Sequence, residues 1–154
     1  MLRLDQTDRK LLRLLQTDAR KSVKVMAAEV GLTATPVYER IKKLEKQGII
    51  KKYGIDIDLE MIGLGLTVFC QVTLKTHSKT LINAFQRALQ SIPEVVEFYH
   101  TSGDYDYLLK VICEDNRAYH RFIIDKLSAL DMVSKVQSNF VMSESKSNTC
   151  HVLD

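Results

Sequence analysis

Hydrophobic positions follow two different periods along this chain. Up to Gly48 they recur every three to four residues, and beyond Leu64 they alternate in steps of two. The first part predicts three short helices. Asp5 caps the first, with Asp8 three positions later near the positive end of the helix dipole, and Leu11, Leu12, Leu14 and Leu15 form its apolar stripe. Ser22 caps the second, with Val23, Met26, Ala27 and Val30 inward and Gly31 at the left-handed stop. The third starts after Thr33, takes Pro36 in its first turn and runs to Gln47. Its buried stripe is Val37, Ile41 and Leu44. Ile49 to Ile57 then predicts two short strands with a turn, a small wing.

The second part predicts six elements. Leu64 to Leu74 alternates as a strand, and Ser78 caps a helix with Leu81, Ile82, Phe85, Ala88, Leu89 and Ile92 on one face. Val95 to Thr101 is a strand, Ser102-Gly103-Asp104 a turn, and Tyr105 to Cys113 another strand. Asp115 opens a second helix, with Tyr119, Phe122, Ile123, Leu127 and Leu130 inward, and Val133 to Met142 is the last strand. The order is βαββαβ, a ferredoxin-like arrangement. The fold class expected is therefore α+β: a winged helix-turn-helix over residues 1–60 and a ferredoxin-like domain over 61–154. With both helices on one side, the other sheet face needs cover, and Phe69 points to it. Dimerisation by sheet packing is the expected solution.

Charge separates the two parts further. Residues 1–55 hold 13 Lys/Arg against 6 Asp/Glu, while the remainder holds 9 against 13. A basic module joined to an acidic one points to a polyanion partner for the first. Cys70, Cys113 and Cys150 share no metal-ligand or CxxC spacing, so spare thiols in a reducing compartment are expected, with no metal and no cofactor. The start of the chain is charged with no apolar core, and the longest near-apolar stretch, Met61 to Cys70, is half a membrane span. The expectation is a soluble cytoplasmic protein, associated with the nucleoid and without a membrane partner.

Two short helices joined by a tight glycine turn make a helix-turn-helix. Ala27 is small where the helices cross, Gly31 lies in the turn and Val37 packs the second helix back on the first. A helix bound for the major groove needs short polar side chains and cations to reach base edges and phosphates. At 100° per residue, Thr35, Glu39, Lys42, Lys43 and Lys46 face away from the buried stripe and Arg40 lies at its edge. The candidate DNA-contacting set is Thr33, Thr35, Pro36, Tyr38, Glu39, Arg40, Lys42, Lys43 and Lys46. In the wing, Lys51 and Lys52 are either phosphate contacts or part of a simple tether.

Several motifs stand together: Leu4-Asp5-x-x-Asp8, Asp18-Ala19-Arg20, the run from Gly31-Leu32-Thr33-x-x-Pro36-Val37 through Arg40-Ile41-x-x-Leu44-Glu45 to Gly48-Ile49-Ile50, and Ser102-Gly103-Asp104-Tyr105-Asp106-Tyr107. Over nearly its whole length the chain resembles the Lrp/AsnC family, the leucine-responsive and feast/famine regulators of bacteria and archaea. The resemblance implies a ligand-sensing (RAM) domain and dimers that often assemble into octamers. It also implies amino-acid effectors bound between subunits near the Gly-Asp-x-Asp loop. Family members often carry Thr on the last strand, which is expected to line the pocket; this chain has Val136-Gln137-Ser138-Asn139.

The loop chemistry suits an amino acid independently. Backbone N–H groups in a glycine turn hold a carboxylate, and a carboxylate holds an ammonium. A plain hairpin turn, with Gly at positive φ and Asp in an Asx-turn, explains the same residues. The candidate ligand-binding set is His100, Ser102, Gly103, Asp104, Tyr105, Asp106, Ser138 and Asn139.

Function classes then divide three ways. The leading one is an effector-responsive transcription factor on double-stranded DNA. An architectural, nucleoid-like DNA binder without an effector is the alternative. An enzyme is not expected: there is no nucleophile set or phosphate loop. Sirohaem decarboxylases, which resemble the family in architecture, tend to carry an Arg-Arg pair in the wing and His and Trp beyond it. Here that position reads Lys51-Lys52-Tyr53 and the chain has no Trp. On this reading Arg40 touches DNA, and Arg40→Ala weakens operator binding strongly in a salt-controlled assay.

Overall fold

The computed structural model describes residues 4–143. They form two compact units that divide between Asp56 and Ile57.

The first unit is three helices: α1 (Gln6–Thr17), α2 (Val23–Val30) and α3 (Ala34–Lys46). Asp5 caps α1 through a reciprocal box: its side chain accepts from the Asp8 N–H at 2.7 Å, and the Asp8 side chain accepts from the Asp5 N–H. Ser22 caps α2 by accepting from the Val25 N–H. Gly31 ends α2 at φ +71°, a left-handed conformation that glycine adopts without strain. Thr33 occupies the N-cap position of α3, but its hydroxyl makes no capping bond. Leu11, Met26, Ala27, Val37 and Ile41 meet in one buried cluster, flanked by Leu14, Leu15, Val23, Val30 and Ile50.

The wing expected over Ile49 to Ile57 does not form. Residues 51–58 carry no strand, and Ile55 and Ile57 are exposed. An isolated two-stranded ribbon has no third strand or apolar face to stabilise it. The segment instead folds back locally. Ile49 and Ile50 both donate to the Leu44 carbonyl, and the Tyr53 hydroxyl donates to Glu45 at 2.8 Å.

The second unit holds β1 (Leu66–Leu74), α4 (Lys79–Gln90), β2 (Val95–His100), β3 (Tyr107–Cys113), α5 (Asn116–Arg121) and β4 (Val133–Phe140). The sheet order is β2-β3-β1-β4, antiparallel throughout. Val68, Cys70, Val72 and Leu74 of β1 point to the core with Tyr107, Leu109 and Val111 of β3. Phe85 and Leu89 of α4, with Tyr119 and Phe122 beyond, cover them. After Arg121 the expected regular helix widens into a π-helical turn, Phe122–Leu127. The Ser128 N–H reaches back five residues to the Ile123 carbonyl. Phe122 and Leu127, also five apart, are thereby both buried, whereas an α-helix would set them on different sides.

Cys70 and Cys113 are buried free thiols; Cys150 lies outside the described residues. Among the described residues, no helix is long and apolar enough to cross a membrane.

Gly31 has open space where a Cβ would stand, so only its backbone conformation resists substitution. Gly31→Ala is expected to destabilise the helical unit by about 1–2 kcal/mol, read as a lower midpoint in chemical unfolding.

Candidate nucleic-acid interface and effector recess

Burial of Val37, Ile41 and Leu44 fixes which side of α3 faces outward. Thr33, Thr35, Glu39, Lys43 and Lys46 are exposed and have no side-chain partner among the described residues. Pro36 is half-buried in the first turn, and Tyr38 is exposed. Lys42 pairs with Glu45 at 2.7 Å and stands 5.7 Å above the Tyr38 ring. That pairing raises the Lys42 pKa and lowers that of Glu45, where the Tyr53 hydroxyl adds a smaller contribution. Lys43 and Lys46 are therefore the unpaired cations of this helix, while Lys42 is partly committed.

Arg40 is placed differently from the rest of the set. Its Nη1 donates to Asp5 Oδ2 at 2.6 Å and to Asp8 Oδ1 at 2.8 Å. These two bonds, the Asp5 one first, raise the Arg40 pKa above its already high ordinary value. The guanidinium is held against the start of α1.

The expected ligand residues do not come together in one place. Asp104 and Tyr105 line a recess of about 490 Å³ with Gln71, Thr73, Lys135 and Gln137. Gln71 pairs with Gln137, and Thr73 with Lys135, in the β1–β4 register, so all four stand on the sheet face away from the helices. None of the six lining side chains has a partner among the described residues. Ser102 and Gly103 sit at the exposed loop tip, with Gly103 at φ +136°.

Asp106 belongs to the scaffold. Its Oδ2 accepts from the Leu74 N–H at 2.7 Å, and its Oδ1 lies 2.8 Å from His77 Nε2. Its own N–H donates to the Val72 carbonyl. Burial works against its charge, but the Leu74 N–H and then His77 outweigh it and lower the pKa. His100 stacks on Tyr107 at 4.8 Å on the helix-facing side of the sheet.

Ser138 and Asn139 project to opposite faces, as neighbours on a strand must. Ser138 accepts from the Tyr119 hydroxyl, which leaves the Cys70 thiol, 3.1 Å away, to donate to Tyr119. Burial raises the Cys70 pKa and keeps it a thiol. Ser138 thus opens onto a separate, mostly apolar groove of about 890 Å³, bordered by Leu66, Ile123, Phe140 and Met142. Asn139 donates to the Phe69 carbonyl at 3.4 Å.

Sequence reasoning missed Gln71, Thr73, Lys135 and Gln137 as lining residues. Their signal was the polar half of the alternation in β1 and β4, which becomes a site only once the register aligns the two strands.

A helix-turn-helix with an outward cationic face, joined to a ferredoxin-like domain, is the architecture of a two-part DNA-binding regulator. The comparisons agree for each part. Residues 4–45 match the AsnC-type helix-turn-helix domain, and residues 67–150 match the Lrp/AsnC ligand binding domain. The chain belongs to the Lrp/AsnC family of transcriptional regulators. It is 38% identical to the DNA-binding transcriptional activator DecR of Escherichia coli K12 over 95% of this chain and 96% of that one. It is 36% identical to the leucine-responsive regulatory protein of the same strain, covering 93% and 87%. The crystal structure of the Neisseria meningitidis transcriptional regulator NMB0573 with L-Met superposes with a TM-score of 0.94 at 32% identity, over 99% of this chain and 98% of that one. These relatives are regulators, so the enzymatic reading falls.

Asp106 also sets a pH dependence. A carboxylate with a lowered folded pKa stabilises the fold above the ordinary aspartate value of 3.8, and loses that contribution as pH falls through the lower folded value. Asp106→Asn should therefore unfold more easily than the parent chain at neutral pH. The gap should narrow on acidification below about pH 4. Urea titrations across that range measure both.

Proposed function

We propose that this chain is a sequence-specific transcriptional regulator whose DNA binding or assembly responds to a free amino acid held in the recess at Asp104 and Tyr105. The observation that carries it is the recess itself. A cation, an anion, two amides and two hydroxyls converge there without partners among the described residues. A zwitterion complements them: Lys135 takes its carboxylate and Asp104 its ammonium. Gln71, Thr73 and Gln137 then face the remainder of the ligand, and they favour a side chain that hydrogen-bonds.

α3 is the recognition helix, with Thr33 and Thr35 toward base edges and Lys43 and Lys46 toward phosphates. The chain acts in the cytoplasm, on nucleoid DNA. Two copies pair through the open sheet face, where Phe69, Tyr99, Leu108 and Ile112 stand away from the helices. The two recognition helices of such a dimer serve half-sites about 34 Å apart. The recess lies on that same face, so an effector there acts on how copies meet. Dimers associating further, up to an octamer, extend the same logic. An architectural DNA binder without an effector gives these unpaired side chains no task.

Thermal unfolding against all twenty amino acids at millimolar concentration tests this. A ligand at a hundredfold over its Kd adds about 2.7 kcal/mol. Asparagine, glutamine, serine or threonine should give the largest shifts, and Lys135→Ala or Asp104→Ala should abolish them. The largest shift coming from leucine would overturn the polar selectivity. No shift at all in folded protein would favour the architectural reading.

A further inference from the structure

The same two carboxylates that cap α1 also hold Arg40 of the recognition helix. Asp5 gives Oδ1 to the Asp8 N–H and Oδ2 to Arg40; Asp8 gives Oδ2 to the Asp5 N–H and Oδ1 to Arg40. All four carboxylate oxygens are thus used, and a single Nη1 serves both acids. Asp8 is well shielded, with its side chain 15% exposed, while Arg40 is at 35%. The capping box cannot form without bringing both anions together, and Arg40 is the cation that offsets their repulsion.

This arrangement is mechanically placed. Arg40 precedes Ile41, which packs in the same buried cluster as Leu11 of α1. Apolar packing decides which face of α3 is buried, and two charge-assisted bonds to one nitrogen add a directional restraint on top of it. The contact therefore fixes the roll of α3 on α1, and with it the direction in which Thr35, Lys43 and Lys46 project.

We propose that Arg40 is a positioning residue rather than a DNA contact: clamped by Asp5 and Asp8, it sets the presentation of the recognition helix. The inference rests on the DNA-binding reading. It makes a counterintuitive demand, because Asp5 and Asp8 are negative charges on a DNA-binding unit. If they acted only through charge, removing one would tighten binding to a polyanion. If they act through the clamp, removing one weakens it.

The test uses the full chain and a duplex selected by the wild-type chain from a random pool, with affinity measured across a salt series. Asp8→Ala is expected to weaken binding several-fold at every salt concentration. Arg40→Lys should weaken it as Arg40→Ala does, because the lysine ammonium ends one bond short of the place where Nη1 stands between the two acids, although its charge serves well on a phosphate. Neither Arg40 variant should change the slope of log affinity against log salt. Lys43→Ala, a phosphate contact, should reduce that slope by about one. The proposal is overturned by tighter binding of Asp8→Ala, by wild-type affinity in Arg40→Lys, or by a slope lowered in Arg40→Ala. A wild-type chain that selects no duplex overturns the DNA-binding reading together with it. Should Arg40→Ala fail to fold, Asp8→Ala and Arg40→Lys still decide the question.

Discussion

The second unit depends on the alternation of β1. This strand is one of the two inner strands, with β3 on one side and β4 on the other. Because successive side chains must point to opposite faces, Val68, Cys70, Val72 and Leu74 commit to the core together. Phe69, Gln71 and Thr73 are then committed to the other face. Burial of roughly four large side chains, each worth about 1.5–3 kcal/mol, holds this register. A slip by one position would bury Gln71 and Thr73 without partners and expose the core set. The polar recess is therefore the reverse side of the hydrophobic core, and the same register specifies both.

Local chemistry sets the helical unit in a comparable way. The side-chain caps at Asp5 and Ser22 fix where α1 and α2 start, and the left-handed Gly31 fixes where α2 stops. The buried cluster then decides which faces meet. Charge enters last, on what is left over. The outward face of α3 keeps Lys43 and Lys46 unpaired, while Arg40 is drawn inward because two carboxylates are already gathered at the start of α1. A residue's charge alone thus says little about its partner; the capping geometry some thirty residues earlier in the chain decides it.

Much of this was legible in the sequence, and the failures share a cause. The elements of both units follow from periodicity, caps and turn residues, all local signals. The wing was over-read because alternation around Ile49 to Ile57 resembles a hairpin, but a strand exists only with a partner to bond, and periodicity cannot supply one. The π-helical turn was missed because its mark, the Ser128 N–H bonded to the Ile123 carbonyl, is a backbone bond that side-chain periodicity does not report. At the recess, Asp104 and Tyr105 were legible from the loop motif. Asp106 fits that motif equally well but faces the strand end, where the Leu74 N–H and His77 take both its oxygens. Gln71, Thr73, Lys135 and Gln137 come from strands about sixty residues apart, and no local pattern joins them.

Asp106 has one more consequence. Together with the Thr101 N–H bonded to the Asp106 carbonyl and the Thr101 hydroxyl bonded to the Tyr105 carbonyl, it pins the loop at both ends. Only four residues, from Ser102 to Tyr105, lie between those anchors. A loop so short and so tethered has little conformational freedom to lose. Were a ligand bound at Asp104 and Tyr105, ordering this loop would add little to the entropy cost of binding. Asp106 also ties the loop to the seam between β1 and β3: its N–H donates to the Val72 carbonyl, and its Oδ2 accepts from the Leu74 N–H.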